Sequence, residues 1–296
     1  MIPTSCVSCA GALVQRYSGV EDPHTRERFA VLACASCGLG HTSPVPEDLS
    51  PYYGGGYYGG RHGLTHALCL WRRVRLLDRF GVRGSVLDVG CGDGSFLAAA
   101  RGRGWQVAGT EMNSAATREK GIEVHGSIAE AKGPFDCATL WHSLEHLRDP
   151  RGALEQIRQR IAPGGSILVA VPDAQGAQAR LFGTLWRHLD VPRHLFHFGR
   201  ASLGALLTRA GFDPDWWWHQ EIEYDLLGWT QSALNAFSWT HDILLRSHTG
   251  RHRSAPELVA GLLLGCALGA VAAPVAVATA LAGSGGTLIV AARRRQ

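Results

Sequence analysis

Short apolar runs alternate with amphipathic segments from residue 64 onward. Residues 64–80 and 151–161 carry apolar side chains at helical spacing and predict helices. Five apolar runs are typical of strands: 85–89, 106–110, 122–125, 135–141 and 166–171. This alternation predicts an α/β protein with a mostly parallel sheet that is covered by helices on both faces. Ligands bind at the carboxyl ends of the strands in such a sheet.

The C-terminal part predicts two more strands with a long apolar stretch between them. Residues 216–218 are predicted to lie in a sixth strand, and residues 287–291, TLIVA, also read as a strand. Residues 258–282 are uncharged, mostly apolar, and long enough to span a bilayer. Because both strands belong to one sheet, both must lie on the same side of a membrane. The stretch is therefore predicted to be a hairpin, a pair of interfacial helices broken near Pro274, or a folded part of the protein. Membrane contact and packing on the protein or in a dimer stay open.

The composition is that of a globular protein. The 296 residues are 46% hydrophobic and 18% charged, with a net charge of +4 and a pI of about 8.7. This slight basicity does not by itself indicate a nucleic-acid partner. The first ten residues lack the basic start and apolar core of a signal peptide. Eight cysteines without a secreted disulfide pattern favour a reducing cytoplasm.

Four of the cysteines form two C-x-x-C pairs near the N-terminus: Cys6, Cys9, Cys34 and Cys37. Each pair is followed by a glycine, as in tight turns that direct two thiolates at one metal. Four thiolates match tetrahedral zinc, so residues 1–42 are predicted to be a zinc ribbon with a structural metal. Residues 43–63 follow as a linker rich in tyrosine and glycine. This linker either folds over a ligand as a lid or packs on the neighbouring domain.

A glycine turn follows the first strand of the predicted sheet. Residues 86–97 read VLDVGCGDGSFL, with Asp88 before Gly90, Gly92 and Gly94. This strand, turn and helix N-terminus let a ligand approach bare backbone. The G-x-G-x-G spacing differs from the dinucleotide fingerprint, and the acid favours a ligand with a positive centre. Glu111 ends the next strand, where a carboxylate reaches ribose hydroxyls.

These motifs resemble those of class I S-adenosylmethionine (SAM)-dependent methyltransferases, and the likeness extends to WHSLEHLRDP at 141–150 and LDVPRHLFHF at 189–198. The resemblance implies a Rossmann-like seven-stranded sheet, in which residues 287–291 form the last strand, antiparallel to the sixth and beside it. It also implies a set of cofactor-binding residues: Asp88, Gly90, Cys91, Gly92, Gly94, Glu111, Met112, Ser127, Ile128 and Trp141. The acid that this family places after the third strand is missing, because Ser127 follows Gly126.

Histidines near the ends of the fourth and fifth strands are candidates for a general base. They are His142, His194 and His197. The ubiquinone-biosynthesis O-methyltransferase type carries a similar L-E-H after the fourth strand, and there the cluster can hold a divalent metal. A metal at His142, Glu145 and His146, or local hydrogen bonds alone, are both open for this chain.

The sequence thus predicts SAM-dependent methyl transfer to a small-molecule or lipid-linked acceptor, as O- or C-methylation. The predicted domains are the ribbon, the linker, a core over 64–219, an insertion with an apolar hairpin over 220–284, and a last strand over 285–296. One alternative is an RNA methyltransferase with a zinc-ribbon recognition module. Another is a non-catalytic SAM-binding scaffold at a membrane. A cytoplasmic place is expected, with peripheral contact to the inner face of a membrane through 258–282.

Overall fold

Eleven strands and eight helices are found in the part of the chain that the computed structural model describes, residues 2–53, 64–81, 84–112, 115–236 and 255–296. The strands are β1 (Leu13–Glu21), β2 (Arg28–Cys34), β3 (Gly40–Ser43), β4 (Ser85–Val89), β5 (Gln106–Thr110), β6 (Glu123–His125), β7 (Phe135–Trp141), β8 (Ile161–Pro172), β9 (Phe196–His197), β10 (Phe212–Trp218) and β11 (Thr287–Arg294). The helices are α1 (Leu64–Phe80), α2 (Ser95–Arg101), α3 (Ala115–Glu119), α4 (Pro150–Arg160), α5 (Ala177–Phe182), α6 (Arg200–Arg209), α7 (Ile222–Ala236) and α8 (Ala255–Leu281). Of the predicted linker 43–63, residues 54–63 lie outside the described residues, and Tyr52 is buried against Phe29 of β2.

The chain divides into two compact units. The first contains Met1–Gly59, Pro172–Arg200 and His219–Leu288, and the second contains Gly60–Val171, Ala201–Trp218 and Ile289–Gln296. This division differs from the predicted one, because the N-terminal strands group with the segment after β8. Strand pairing explains the grouping, since Gly40 of β3 pairs with His197 of β9.

The second unit is built around a seven-stranded sheet, in which the strand order is β10-β11-β8-β7-β4-β5-β6. The pairs from β8 to β6 are parallel, and β11 runs antiparallel to β10. The chain runs outward from β4 through β5 to β6 and then returns to β7 on the other side of β4. A crevice forms at such a reversal, beyond the carboxyl ends of the strands. The predicted Rossmann-like fold with an antiparallel last strand is confirmed.

Buried apolar side chains on β4, β7 and β8 explain why these runs form central strands. Leu87, Leu140 and Val169 are fully buried, as expected of parallel strands that are covered on both faces. Helix α1 turns Val74 and Leu77 into this core, whereas Leu68 and Trp71, which share its apolar spacing, are 46% and 55% exposed.

The first unit contains a second sheet, with the order β1-β2-β3-β9, and the two helices α7 and α8. The helices pack against each other and are joined through residues 237–254, which lie outside the described residues. Helix α8 runs without interruption through Pro274. The turn or break predicted within 258–282 is therefore wrong. A proline removes one backbone hydrogen bond, and the helix continues on both sides of Pro274.

Candidate active site

The glycine turn lies at the carboxyl end of β4 in the second unit. Gly90, Gly92 and Gly94 all have positive φ, at +75°, +55° and +74°, a region that side chains with a Cβ rarely adopt. The N–H of Gly90 donates to Thr110 O at 2.9 Å, so the turn folds back over the end of β5. A Cβ on Gly90 would lie 2.7 Å from Ser143 Cβ. The turn is thus packed tightly against the end of β7.

Glu111 completes the turn from the end of β5. Its Oε2 accepts the N–H of Gly92 at 3.0 Å, while Thr117 Oγ1 donates to Gly92 O at 2.6 Å. A Cβ built on Gly92 meets no atom within 4 Å among the described residues. The turn therefore presents open backbone beside a carboxylate. Met112 follows directly and is 91% exposed.

Asp88 lies beneath the turn and is buried. Its Oδ1 accepts a hydrogen bond from Thr139 Oγ1 at 2.6 Å. Burial raises the pKa of Asp88 to about 7, against the lowering effects of Thr139 and of the Arg73 guanidinium. That guanidinium lies over the Trp141 ring, 4.9 Å from its centroid. A carboxyl group that titrates near neutral pH in a cleft is typical of functional sites.

Cys91 and Trp141 pack in the core around the turn. The Trp141 ring meets Phe96 edge-on at 5.6 Å. A Cβ on Gly109 would lie 2.6 Å from Cys91 Sγ, so the thiol occupies the space that the glycine of β5 leaves. Burial, aided by the nearby Asp88 and Glu111, raises the pKa of Cys91 to about 12, and the thiol is therefore neutral. Both side chains shape the turn from below.

The segment after β6 is held by an acid that the sequence did not identify. Glu130 accepts hydrogen bonds from Ser127 Oγ at 2.8 Å and from Gly126 N at 3.1 Å. These bonds lower the pKa of Glu130. Ile128 is half-buried in the same turn, and its carbonyl accepts the N–H of Ala131 at 3.3 Å. A carboxylate therefore stands near the end of this strand although Ser127 follows Gly126. The signal for it is an S-x-x-E pattern, which is typical of a capping box.

His142 adopts a left-handed backbone at the carboxyl end of β7. Its φ is +54°, which costs a non-glycine residue about 1–3 kcal/mol and is found most often at functional sites. Its N–H donates to Ala170 O at 2.9 Å, and its Nδ1 lies 3.6 Å from Glu145 Oε1. The next residue, Ser143, donates from Oγ to Val89 O at 2.7 Å. These bonds place His142 in the turn that abuts the glycine turn.

His194 and His197 belong to the first unit and are buried there. His197 Nε2 lies 3.0 Å from Thr42 Oγ1, and burial lowers the pKa of His197 to about 3. His194 Nδ1 lies 2.8 Å from His188 O, and its Nε2 lies 3.8 Å from Asp190 Oδ2. These contacts tie β9 and the loop before it to their own unit.

The four N-terminal cysteines come together in the first unit. Their sulfur atoms all lie within 4.8 Å of one another. The distance is 3.6 Å between Cys6 and Cys37 and 3.4 Å between Cys9 and Cys34. Burial raises the pKa of Cys34, but backbone N–H groups of Cys37 and Ser36 and the neighbouring thiols outweigh it and lower the value to about 6. Cys34 is thus favoured as a thiolate at neutral pH, whereas burial raises the pKa of Cys6 and of Cys37.

Comparison with known proteins assigns the chain to a family. The sequence profile of a family described as a methyltransferase domain matches residues 61–215. This range covers more than half of the chain and contains the glycine turn, Glu111 and His142. The chain belongs to this methyltransferase family.

Relatives of this methyltransferase include small-molecule enzymes. The ubiquinone biosynthesis O-methyltransferase of Pseudomonas paraeruginosa is 31% identical over 164 residues, which cover 48% of this chain and 70% of the relative. The protein of the same name from Chromobacterium violaceum is 32% identical over 162 residues, which cover 47% and 69%. The crystal structure of the 4+2 cyclase SpnF matches with a TM-score of 0.50 and 22% identity, over 80% of this chain and 84% of that chain. This last likeness shows the fold alone. The findings confirm a class I SAM-dependent methyltransferase.

Proposed function

We propose that the glycine turn and the strand ends around it bind SAM. The observation that carries this proposal is the bond between Glu111 Oε2 and Gly92 N at 3.0 Å, beside the open backbone of the turn. When bound, SAM supplies a methyl group that its sulfonium already activates. The proposed binding residues are those named from the sequence: Asp88, Gly90, Cys91, Gly92, Gly94, Glu111, Met112, Ser127, Ile128 and Trp141.

Two carboxyl groups suit the two ends of this ligand. Glu111 is half-buried at a strand end, where a carboxylate can accept hydrogen bonds from ribose hydroxyls. Asp88 is 3% exposed and adds negative charge below the turn whenever it ionises, which favours a cationic ligand. Cys91 and Trp141 act by packing, because their side chains lie in the core beneath the turn.

The acceptor that we propose is a hydroxyl group of a small molecule, since the curated relatives are O-methyltransferases. More specifically, we propose that the molecule that carries this hydroxyl group is linked to a lipid. Methyl transfer mainly requires alignment of the acceptor with the methyl group, and a hydroxyl acceptor also requires a base. His142 is the base that we propose to test first, because its strained backbone lies in the same unit as the glycine turn. His194 and His197 stay predictions.

Binding of SAM is tested by calorimetry on the Glu111→Ala variant. Loss of the carboxylate should weaken SAM binding by about tenfold or more, since a hydrogen bond with a charged group contributes about 1.5–3 kcal/mol. Glu123→Ala is the matched control, because Glu123 is an exposed acid at the start of β6. Equal affinity of the parent and the Glu111→Ala protein would contradict the site.

The role of His142 is tested by separating binding from turnover. With a set of catechol and hydroquinone acceptors, His142→Ala should lower kcat by about 10²–10⁴-fold and leave SAM affinity unchanged. His24→Ala, at a histidine of the N-terminal strands, is the control. If His142→Ala keeps full kcat while His194→Ala or His197→Ala loses it, the base lies elsewhere.

We also propose that the four cysteines hold one structural zinc ion. Tetrahedral zinc with bonds of about 2.3 Å places its sulfur ligands about 3.8 Å apart, close to the 3.6 and 3.4 Å seen here. Metal analysis should find one zinc per chain, and the Cys34→Ser variant should lose it. A protein purified without metal that folds equally well would refute the structural role.

The place of action that we propose is the cytoplasm, with contact to the inner face of a membrane through residues 258–282. A reducing compartment suits the eight cysteines, all of which are described by the structure and none of which forms a disulfide.

A further inference from the structure

Helix α8 has two faces that differ in side-chain size. One face carries five large apolar side chains that are 45–74% exposed: Val259, Leu263, Val271, Val277 and Leu281. At 100° per residue these positions fall within an arc of about 120°. The opposite face carries the small residues Gly265, Ala272, Ala276 and Ala280, which are buried. These positions fall within an arc of about 80°.

The small face is the one that packs on the protein. Helix α8 packs along α7 in the first unit, and a Cβ on Gly269 would lie 3.8 Å from Thr230 Oγ1. In a helix designed for water, the large apolar side chains face the core and the opposite face is polar. Helix α8 is arranged the other way round, because five of its large apolar side chains point outward and it has no charged residue after Glu257.

Lipid is the surrounding that fits this arrangement. Helices in a bilayer place small residues at the contacts with other helices, and large apolar residues toward the acyl chains. The window Leu263–Leu281 has a mean hydropathy of 2.0 and is only 22% buried, so α8 is not the core helix of its unit. The chain just before α8, residues 243–254, contains three arginines and no acid, which suits anionic headgroups.

Strand pairing fixes how α8 can meet the membrane. Trp218 pairs with Ile289, so the excursion through α7 and α8 leaves and rejoins the sheet at the same end. A single crossing would place its two ends on opposite sides. We propose that α8 lies in the membrane interface, with the face of Val259, Leu263, Val271, Val277 and Leu281 in the acyl region and the small face on α7. This proposal rests on the proposed location at a membrane and not on methyl transfer.

Vesicle flotation tests the outer face. The parent should float with phosphatidylcholine vesicles that contain about a third phosphatidylglycerol. The Leu263→Ser/Leu281→Ser variant should partition at least about tenfold less, since each buried methylene contributes about 0.8 kcal/mol. The control is Ile2→Ser/Val14→Ser, which removes two exposed apolar side chains, 69% and 53% exposed, from the N-terminal segment and β1. SAM affinity of the same samples reports on folding and on the methyltransferase site separately. A parent protein that binds SAM but does not float with the vesicles would overturn the proposal.

Cys266 offers a probe of orientation. It is an exposed cysteine on α8, and a polarity-sensitive dye on its thiol should shift to the blue on vesicles. Quenchers near the headgroups should act on it more strongly than quenchers at the bilayer centre. The reverse order would show a helix that spans the bilayer, which overturns the interfacial orientation. A second outcome would also overturn the proposal: the parent is a dimer that does not bind vesicles, and the Leu263→Ser/Leu281→Ser variant is a monomer. The exposed face of α8 would then be the contact with a second copy of the chain.

Discussion

Replacing Asp88 with asparagine tests whether the buried acid beneath the glycine turn is neutral at low pH and ionises near pH 7. The side chain is 3% exposed, and burial raises its pKa from 3.8 to about 7. Asparagine keeps the shape of the side chain and an oxygen that can accept the 2.6 Å hydrogen bond from Thr139. The substitution therefore removes the ionisation and little else.

The sign follows from the proton balance. Between the unfolded pKa of 3.8 and the folded pKa of about 7, the folded chain holds more protons at Asp88 than the unfolded chain does. The free energy of unfolding of the parent therefore falls as pH rises through this window. One pH unit corresponds to about 1.4 kcal/mol, so the stretch from about pH 5 to about pH 7 contributes about 3 kcal/mol. The free energy of unfolding of the asparagine variant does not fall in this way. From about pH 5 to about pH 7, its stability relative to the parent should therefore rise by about 3 kcal/mol.

Urea unfolding without SAM, followed by tryptophan fluorescence from about pH 5 to about pH 8, measures this difference directly. Asp93→Asn is a control of opposite sign. Partial burial raises the pKa of Asp93, but the bonds from Ser95 and the charge of Lys120 outweigh it, and the net pKa is lowered. That variant should be less stable than the parent at neutral pH, and the gap should close as pH falls. A difference between Asp88→Asn and the parent that is the same at every pH would refute a raised pKa at Asp88.

Three further changes probe the two units. Arg193→Met should lower the free energy of unfolding by about 3–5 kcal/mol, because it removes the positive charge that pairs with buried carboxylates. Chemical denaturation measures this change, and Arg28→Met, at an exposed arginine, should have little effect. Gly90→Ala should abolish SAM binding in calorimetry, since its Cβ would meet Ser143 at 2.7 Å, whereas Gly104 also has a positive φ but faces open space, so Gly104→Ala should cost only backbone strain. A zinc chelator should lower the thermal unfolding temperature of the parent, and an unchanged temperature would argue against zinc in the cysteine cluster.

Much of the second unit was predictable because its strands are buried on both faces. The predicted strands 85–89, 106–110 and 135–141 coincide with β4, β5 and β7. Each of these strands is a continuous apolar run that ends at a glycine or a polar residue. The end of the run therefore marks the end of the strand. The antiparallel last strand followed from the family resemblance, and its register with β10 confirms it.

The contacts that organise the sites were not predictable, because they join distant parts of the chain or depend on local backbone geometry. Arg193 Nη1 donates to Asp22 at 2.8 Å across 171 residues of sequence. The local contact of Glu130 with Ser127 and Gly126 is an exception, because the S-x-x-E pattern was a signal for it that the sequence analysis did not use. The left-handed φ of His142 could not be singled out, because histidine is enriched in that conformation but only a few per cent of non-glycine residues adopt it. Pairwise partners of this kind require coordinates.

Helix α8 shows why its faces could not be found from its composition. Pattern analysis separates the faces of a helix by polarity, and residues 258–282 have almost no polar side chains to separate. The segregation is by size, with Gly265 and Ala276 inward and Leu263 and Leu281 outward. Size decides the faces because close helix packing needs small residues, whether the surroundings are water or lipid. Only the outward face then indicates whether the helix contacts water or lipid. Its large apolar side chains have a lower free energy in lipid than in water.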